Sequence, residues 1–242
     1  MAHELKIPIP TEVIETSVAC IEQYRGGTLV RTYQSNFRPR FGGQLEDRGE
    51  IYIDKWYDIS DVIFLNNHNY FFVRELKDSK CKVGTPVLIR LDMYRRMQVS
   101  MMHTAIHLIC ALTDNEMVLG YAGFPKSRVD FYGSAEDFNN GFSNLVTRFR
   151  DCVEAKLDVS AIYVEREGVA RLGKVKEFRS EVDDEILRII KISGVDLRVC
   201  NGTHIQNTEM LSDVYFGSAK NTGKDKFKVN LHFKNVLQGK MC

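Results

Sequence analysis

The chain has 242 residues, 44% of them hydrophobic, with 33 Lys and Arg against 32 Asp and Glu and a formal net charge of +1. That length holds one large or two modest domains, and the charge balance excludes a general polyanion binder, so a nucleic-acid partner would have to be met by local patches. No apolar run reaches membrane-spanning length, residues 1–10 lack the basic and apolar blocks of a secretion signal, and the six cysteines follow no framework spacing; together these predict a cytoplasmic protein with reduced thiols and no membrane partner.

Residues 18–90 alternate short β-rich runs with turns. Runs at 19–24 and 28–33 flank Gly26-Gly27 and predict a hairpin with a Gly-Gly turn. Runs at 50–57, 62–65, 70–74 and 87–90 continue as strands, with a turn at 66–69 that makes His68 a polar loop residue. Several strands without a helix predict a small β-barrel. A helical section starts near Leu91 and includes 101–112, an apolar run without Gly or Pro. Residues 117–124 and 127–132 read as paired strands around Pro125. From Ala135 to Leu157, apolar residues recur at helical period through Phe138, Phe142, Leu145, Phe149 and Val153, which predicts one amphipathic helix with Ser134 as N-cap. Strands at 160–164 and 189–192 and a final hairpin from 214–216 and 227–233 complete an α+β second half. The expected division is a β-barrel domain over 1–98 and an α+β domain over 99–242.

Two histidine-bearing stretches carry the chemistry. His103 and His107 stand one helical turn apart on one face, a spacing suited to two ligands of one metal. Cys200-Asn201-Gly202-Thr203-His204 follows a strand end, and Gly202 would let the backbone turn so that Cys200 and His204 converge. Three imidazoles and a thiolate are the donor set of a tetrahedral zinc site. Each pair alone is more often ordinary packing; it is their joint occurrence that points to Zn2+. Cys110, one further turn along the helix, is either a competing ligand or, more in keeping with its surroundings, a buried thiol. Basic clusters at Arg25, Arg31, Arg38, Arg40 and Arg48, and at Lys220, Lys224, Lys226, Lys228 and Lys234, read as solvated strand faces or RNA contacts.

Read in order, the motifs resemble one family. Phe37-Arg38-Pro39-Arg40-Phe41-Gly42-Gly43-Gln44-Leu45-Glu46-Asp47-Arg48-Gly49 is followed by Asp92-Met93-Tyr94-Arg95-Arg96, then His103-Thr104-Ala105-Ile106-His107-Leu108-Ile109. Arg128-Val129-Asp130-Phe131, Cys200-Asn201-Gly202-Thr203-His204 and Gly223-Lys224 complete the series. The chain thus resembles the free-standing AlaX-type alanyl-tRNA editing proteins, which are similar to the editing domain of alanyl-tRNA synthetase; threonyl-tRNA synthetase carries a related second additional domain. It departs from the family pattern in having Phe41 before a double rather than triple glycine and Asn201 in a glycine position of the last turn, where Asn tolerates left-handed backbone.

The resemblance implies a glycine-rich barrel followed by a zinc-bearing editing domain, acting in trans to deacylate tRNA(Ala) mischarged with serine, or with glycine. It also implies His103, His107, Cys200 and His204 as metal ligands. Thr104, Gln44 and Cys200 are the catalytic candidates, and Gly42, Gly43, Gln44, Thr104 and Arg128 the substrate-binding ones. Zinc could activate water or, with four side-chain ligands, only organise the pocket. Thr104 could hydrogen-bond a serine hydroxyl or its own helix; Gln44 could reach the ester or stabilise the glycine turn. Competing readings are a zinc-containing tRNA-binding module without catalysis and a zinc hydrolase of small esters. The Glu base of the H-E-x-x-H proteases is replaced by Thr104.

Overall fold

Alternation of apolar and polar residues draws most of the chain into antiparallel ladders. The computed structural model describes residues 2–76, 81–176 and 185–234 and is mixed α and β, mostly sheet. Two compact units divide it, Ile9–Met97 and Met1–Pro8 with Gln98–Cys242. The first strand, β1 (His3–Lys6), falls with the second of these because it pairs with a strand there. The division falls inside α1 (Met93–Leu112).

The Ile9–Met97 unit holds β2 (Val13–Tyr24), β3 (Gly27–Thr32), β4 (Gly49–Tyr52), β5 (Trp56–Ile59), β6 (Asp61–Leu65), β7 (His68–Val73) and β8 (Pro86–Leu91). They form one sheet in the order β5-β4-β8-β2-β3-β7-β6. No ladder joins its two ends among the described residues, so the expected closed barrel is replaced by an open path. The end strands are successive in the chain, linked by Ser60, whose N–H bonds to Phe72 on β7 instead of to β5. Val18, Val30, Phe37, Ile51, Ile59, Phe71 and Ile89 fill the core.

Local turn chemistry corrects two expectations. The β2–β3 turn is Arg25-Gly26, both at positive φ, as a two-residue hairpin requires. Gly27 already belongs to β3, where a Cβ would sit 2.6 Å from the Phe72 ring. Asn66-Asn67 makes a second such turn, which puts His68 at the start of β7 opposite Leu65 rather than in a loop. The run at 50–57 is two strands, because the chain reverses at Ile53–Lys55.

In the other unit β11 (Val159–Glu165), β12 (Ile186–Ile192) and β13 (Asp196–Val199) extend from β1 as a four-stranded antiparallel sheet. A five-stranded sheet contains β9 (Met117–Tyr121), β10 (Ser127–Tyr132), β14 (Val214–Phe216), β15 (Lys220–Gly223) and β16 (Lys226–Phe233). The helix expected over 135–157 is two: α2 (Ala135–Asn140), capped by the Ser134 hydroxyl accepting from the Asp137 N–H, and α3 (Phe142–Glu154). Gly141 separates them at φ −89°, ψ 0°, at the edge of the helical region. Leu145, Phe149 and Val153 give α3 its buried stripe, while Phe138 of α2 meets Phe131 and Phe227 on the five-stranded sheet. Among the described residues no helix is long and apolar enough to cross a membrane.

The family-like glycine–glutamine motif ends in an ion pair that anchors its own unit. Arg96 Nε donates to Asp47 Oδ1 at 2.8 Å, its Nη2 donates to Asp47 Oδ2 and to the Asn36 carbonyl, and both charged groups are buried. Gly49 follows, where a Cβ would lie 2.1 Å from the Arg90 carbonyl oxygen. Removing one partner strands a buried charge. Arg96→Ala is therefore expected to destabilise by about 3–5 kcal/mol, read as a lowered midpoint in urea unfolding; a loss under about 0.5 kcal/mol would show the pair to be dispensable.

Candidate metal centre

The middle of α1 is buried almost all round, from Met102 to Cys110, so whatever polar groups it carries must find partners inside the protein. His103 and His107 lie on the same side, their rings 5.2 Å apart. The His204 ring comes within 4.5 Å of that of His103 and 4.6 Å of that of His107, centroid to centroid. Cys200 Sγ lies 3.5 Å from His103 Nε2 and 3.4 Å from His204 Nε2. One donor atom from each of the four residues lies within 4.8 Å of all the others. A tetrahedral ion with bonds of about 2.0–2.3 Å separates nitrogen from sulphur by roughly 3.5 Å, so these residues fit a metal.

The loop that brings Cys200 back to α1 is held by hydrogen bonds. Neither Asn201 nor Gly202 is among the described residues with positive φ, so the expected left-handed glycine turn gives way to another device. Arg188 Nη1 donates at 2.8 Å to the carbonyls of both Cys200 and Gly202, and the Gly202 N–H donates to Cys200 Sγ at 3.4 Å. Burial disfavours a thiolate, yet the charge of His103 and hydrogen bonds with His103 and His107 pull the Cys200 thiol well below its ordinary value. Burial, reinforced by the charge of His103, holds His204 neutral by pushing it well below the usual imidazole range. Both are the protonation states a ligand needs.

Behind the donors stands a layer that sequence reasoning missed. Asp196 Oδ2 lies 3.3 Å from His107 Nδ1, and Arg198 Nε donates to the same oxygen at 3.3 Å. Burial pushes His107 down, but the Asp196 carboxylate and Cys200 outweigh it and raise the ring above its ordinary value. Burial alone would raise Asp196; His107 and Arg198 bring it below the usual carboxylate range. The signal was present in β13: Asp196 and Arg198 alternate with Leu197 and Val199, which pack into the apolar cluster of Ile162, Val164 and Ile189. Period two therefore turns Asp196 and Arg198 to the opposite face, toward α1.

No family model matches the chain. It is 29% identical over 218 residues to "Alanyl-tRNA editing protein AlaX-M" of Methanosarcina barkeri, covering 85% of this chain and 89% of that protein. A protein of the same name from Saccharolobus solfataricus is 21% identical over 232 residues, 90% of this chain and 97% of the relative. The alanine–tRNA ligase of Trichormus variabilis is 29% identical over 211 residues, which are 81% of this chain but 23% of the ligase. The chain is similar to the AlaX-type alanyl-tRNA editing proteins. Matching nine-tenths of such proteins but only a quarter of a ligase, it aligns with the free-standing editing proteins along most of their length.

Against the residues expected from AlaX-type motifs, the structure brings His103, His107, Cys200 and His204 together, with Thr104 beside them. Thr104 is fully buried and its hydroxyl is engaged with Ser100, His204 and Ile205, which leaves it buried in the wall of the site rather than open to a substrate. Arg128 lies on β10, exposed and 3.4 Å from Asp130. A Cβ on Gly120 would meet Ile106 of α1, and Gly120 pairs with Val129, so the neighbouring Arg128 points to the face of the sheet away from the metal helix. Gly42, Gly43 and Gln44 belong to the Ile9–Met97 unit, where Gly42 and Gly43 at φ 56° and 81° form a hairpin turn closed by Phe41 and Gln44; Gln44 is buried. Burial raises the Cys110 thiol to about 12, and it is absent from the four-residue donor group.

That contrast separates the two helix-facing thiols. Cys200→Ala is expected to abolish stoichiometric metal in the purified protein, as measured by elemental analysis, while Cys110→Ala keeps it. Equal metal content in both variants would overturn the ligand assignment.

Proposed function

We propose that the chain is a trans-editing aminoacyl-tRNA hydrolase that binds zinc and deacylates tRNA(Ala) mischarged with serine, and with glycine. The observation that carries this reading is the buried cluster of His103, His107, Cys200 and His204 in a chain related along its length to proteins named for alanyl-tRNA editing. Gln98–Cys242 with Met1–Pro8 form the editing domain and Ile9–Met97 the accompanying β domain in this account. Three nitrogens and one sulphur in tetrahedral range favour zinc over the oxygen-seeking ions.

When bound, zinc held by all four side chains would fix the shape of the pocket and add a positive charge to it. The protein's own residues do the positioning. Asp196 holds the His107 ring through Nδ1 and leaves Nε2 turned to the cluster. Of the four, Cys200 and His103 are the least buried, at 9% and 7% exposure. Arg128 and the Gly42-Gly43-Gln44 hairpin are assigned to contacts with the RNA, where an exposed cation and an open turn suit phosphate and sugar. An aminoacyl ester is already activated, so the site's task is to hold the ester carbonyl and an attacking water against one another while the ribose oxygen leaves with the water's proton.

Incubated with charged tRNA(Ala), the purified chain is expected to release serine and glycine about ten-fold or more faster than alanine. Equal rates on the three would contradict the editing assignment. Tight binding of mischarged tRNA without hydrolysis would select the catalytically silent module, and turnover of small esters with indifference to tRNA would select the small-ester hydrolase.

A further inference from the structure

Thr104 stands between the two metal-binding segments without belonging to the donor group. Its Oγ1 is 3.0 Å from the Ser100 carbonyl oxygen, 3.0 Å from His204 Nδ1 and 3.3 Å from the Ile205 nitrogen. A hydroxyl has one proton and two lone pairs. The Ser100 carbonyl can only accept, so it takes the proton; the Ile205 N–H can only donate, so it takes one lone pair. The second lone pair faces His204 Nδ1 and is satisfied when that nitrogen carries the ring hydrogen. A neutral imidazole protonated at Nδ1 has its free lone pair at Nε2. Nε2 is the atom that lies 3.4 Å from Cys200 Sγ.

We propose that Thr104 is a positioning residue that locks His204 in the Nδ1-protonated tautomer, leaving Nε2 to bind the metal. Ser100 strengthens the arrangement from both ends: its carbonyl orients the Thr104 hydroxyl and its own hydroxyl donates to Thr203 Oγ1 at 2.8 Å, next to the ligand. Since all valences of the Thr104 hydroxyl are used inside the protein, discrimination of serine from alanine falls to other groups. This departs from the role that the motif suggests for Thr104, and it rests on the metal reading above.

The test compares Thr104→Val, which keeps the branched shape and removes the hydroxyl, with Thr104→Ser, which keeps the hydroxyl. In competition with a chromogenic chelator, the Val variant of the full chain is expected to bind zinc about 10–100-fold more weakly than wild type, and the Ser variant close to wild type. With zinc in excess, the ratio of seryl to alanyl deacylation is expected to be unchanged in the Val variant. Wild-type zinc affinity in the Val variant would overturn the proposal, and so would normal affinity with lost discrimination, which would mean that the hydroxyl meets the substrate. Should the Val variant fail to fold, nitrogen NMR of the histidine rings in chelator-stripped wild-type chain reads the tautomer directly: hydrogen on Nδ1 of His204 is expected, and hydrogen on Nε2 refutes the lock. If the wild-type chain takes up no zinc at all, the metal reading fails, and the NMR still decides the tautomer.

Discussion

Four donor groups from segments 97 residues apart must converge in a space that water barely enters, and the Gln98–Cys242 unit is arranged around that requirement. Three imidazoles and a thiolate packed this closely place four possible donor atoms within 4.8 Å of one another, where a single metal ion can accept them all. The same convergence drives the Cys200 thiol far below its ordinary value and pushes His204 well below the imidazole range, while Asp196 and Cys200 hold His107 above it.

Holding ligands in place takes a second layer of polar groups, and burial makes each of these costly unless it is fully bonded. Three different devices supply that layer. A carboxylate braced by Arg198 holds His107, a threonine hydroxyl holds His204, and a backbone N–H with a guanidinium beneath the loop holds Cys200. The strand β13 serves both sides, giving Leu197 and Val199 to an apolar cluster and Asp196 and Arg198 to the centre. A short element therefore couples ordinary sheet packing to the orientation of a ligand ring.

Much of this could be read from the sequence where a residue's requirement is local. The i, i+4 histidines on an apolar helix, the Ser134 cap and the hairpin runs follow from periodicity and turn chemistry, and the structure contains each of them. What escaped was decided at a distance or by a single backbone angle. Gly141 splits a continuous apolar stripe into two helices without disturbing the stripe itself. The seven strands look like a barrel when counted, but closure depends on pairing between ends, and Ser60 commits its N–H to β7. Asp196 reads as a surface charge at a strand start until the inward face of β13 is known. Thr104 was visible as a member of a motif, but its hydroxyl's partners come from residues 100, 204 and 205, which no spacing rule joins.

The most direct measurement is X-ray absorption at the zinc edge on the purified full-length chain. A first shell of three nitrogens and one sulphur at about 2.0 and 2.3 Å is the predicted result. A shell of oxygen and nitrogen without sulphur, or a chain that carries no zinc, would contradict the convergence of Cys200 with the three histidines on which the rest of the account stands.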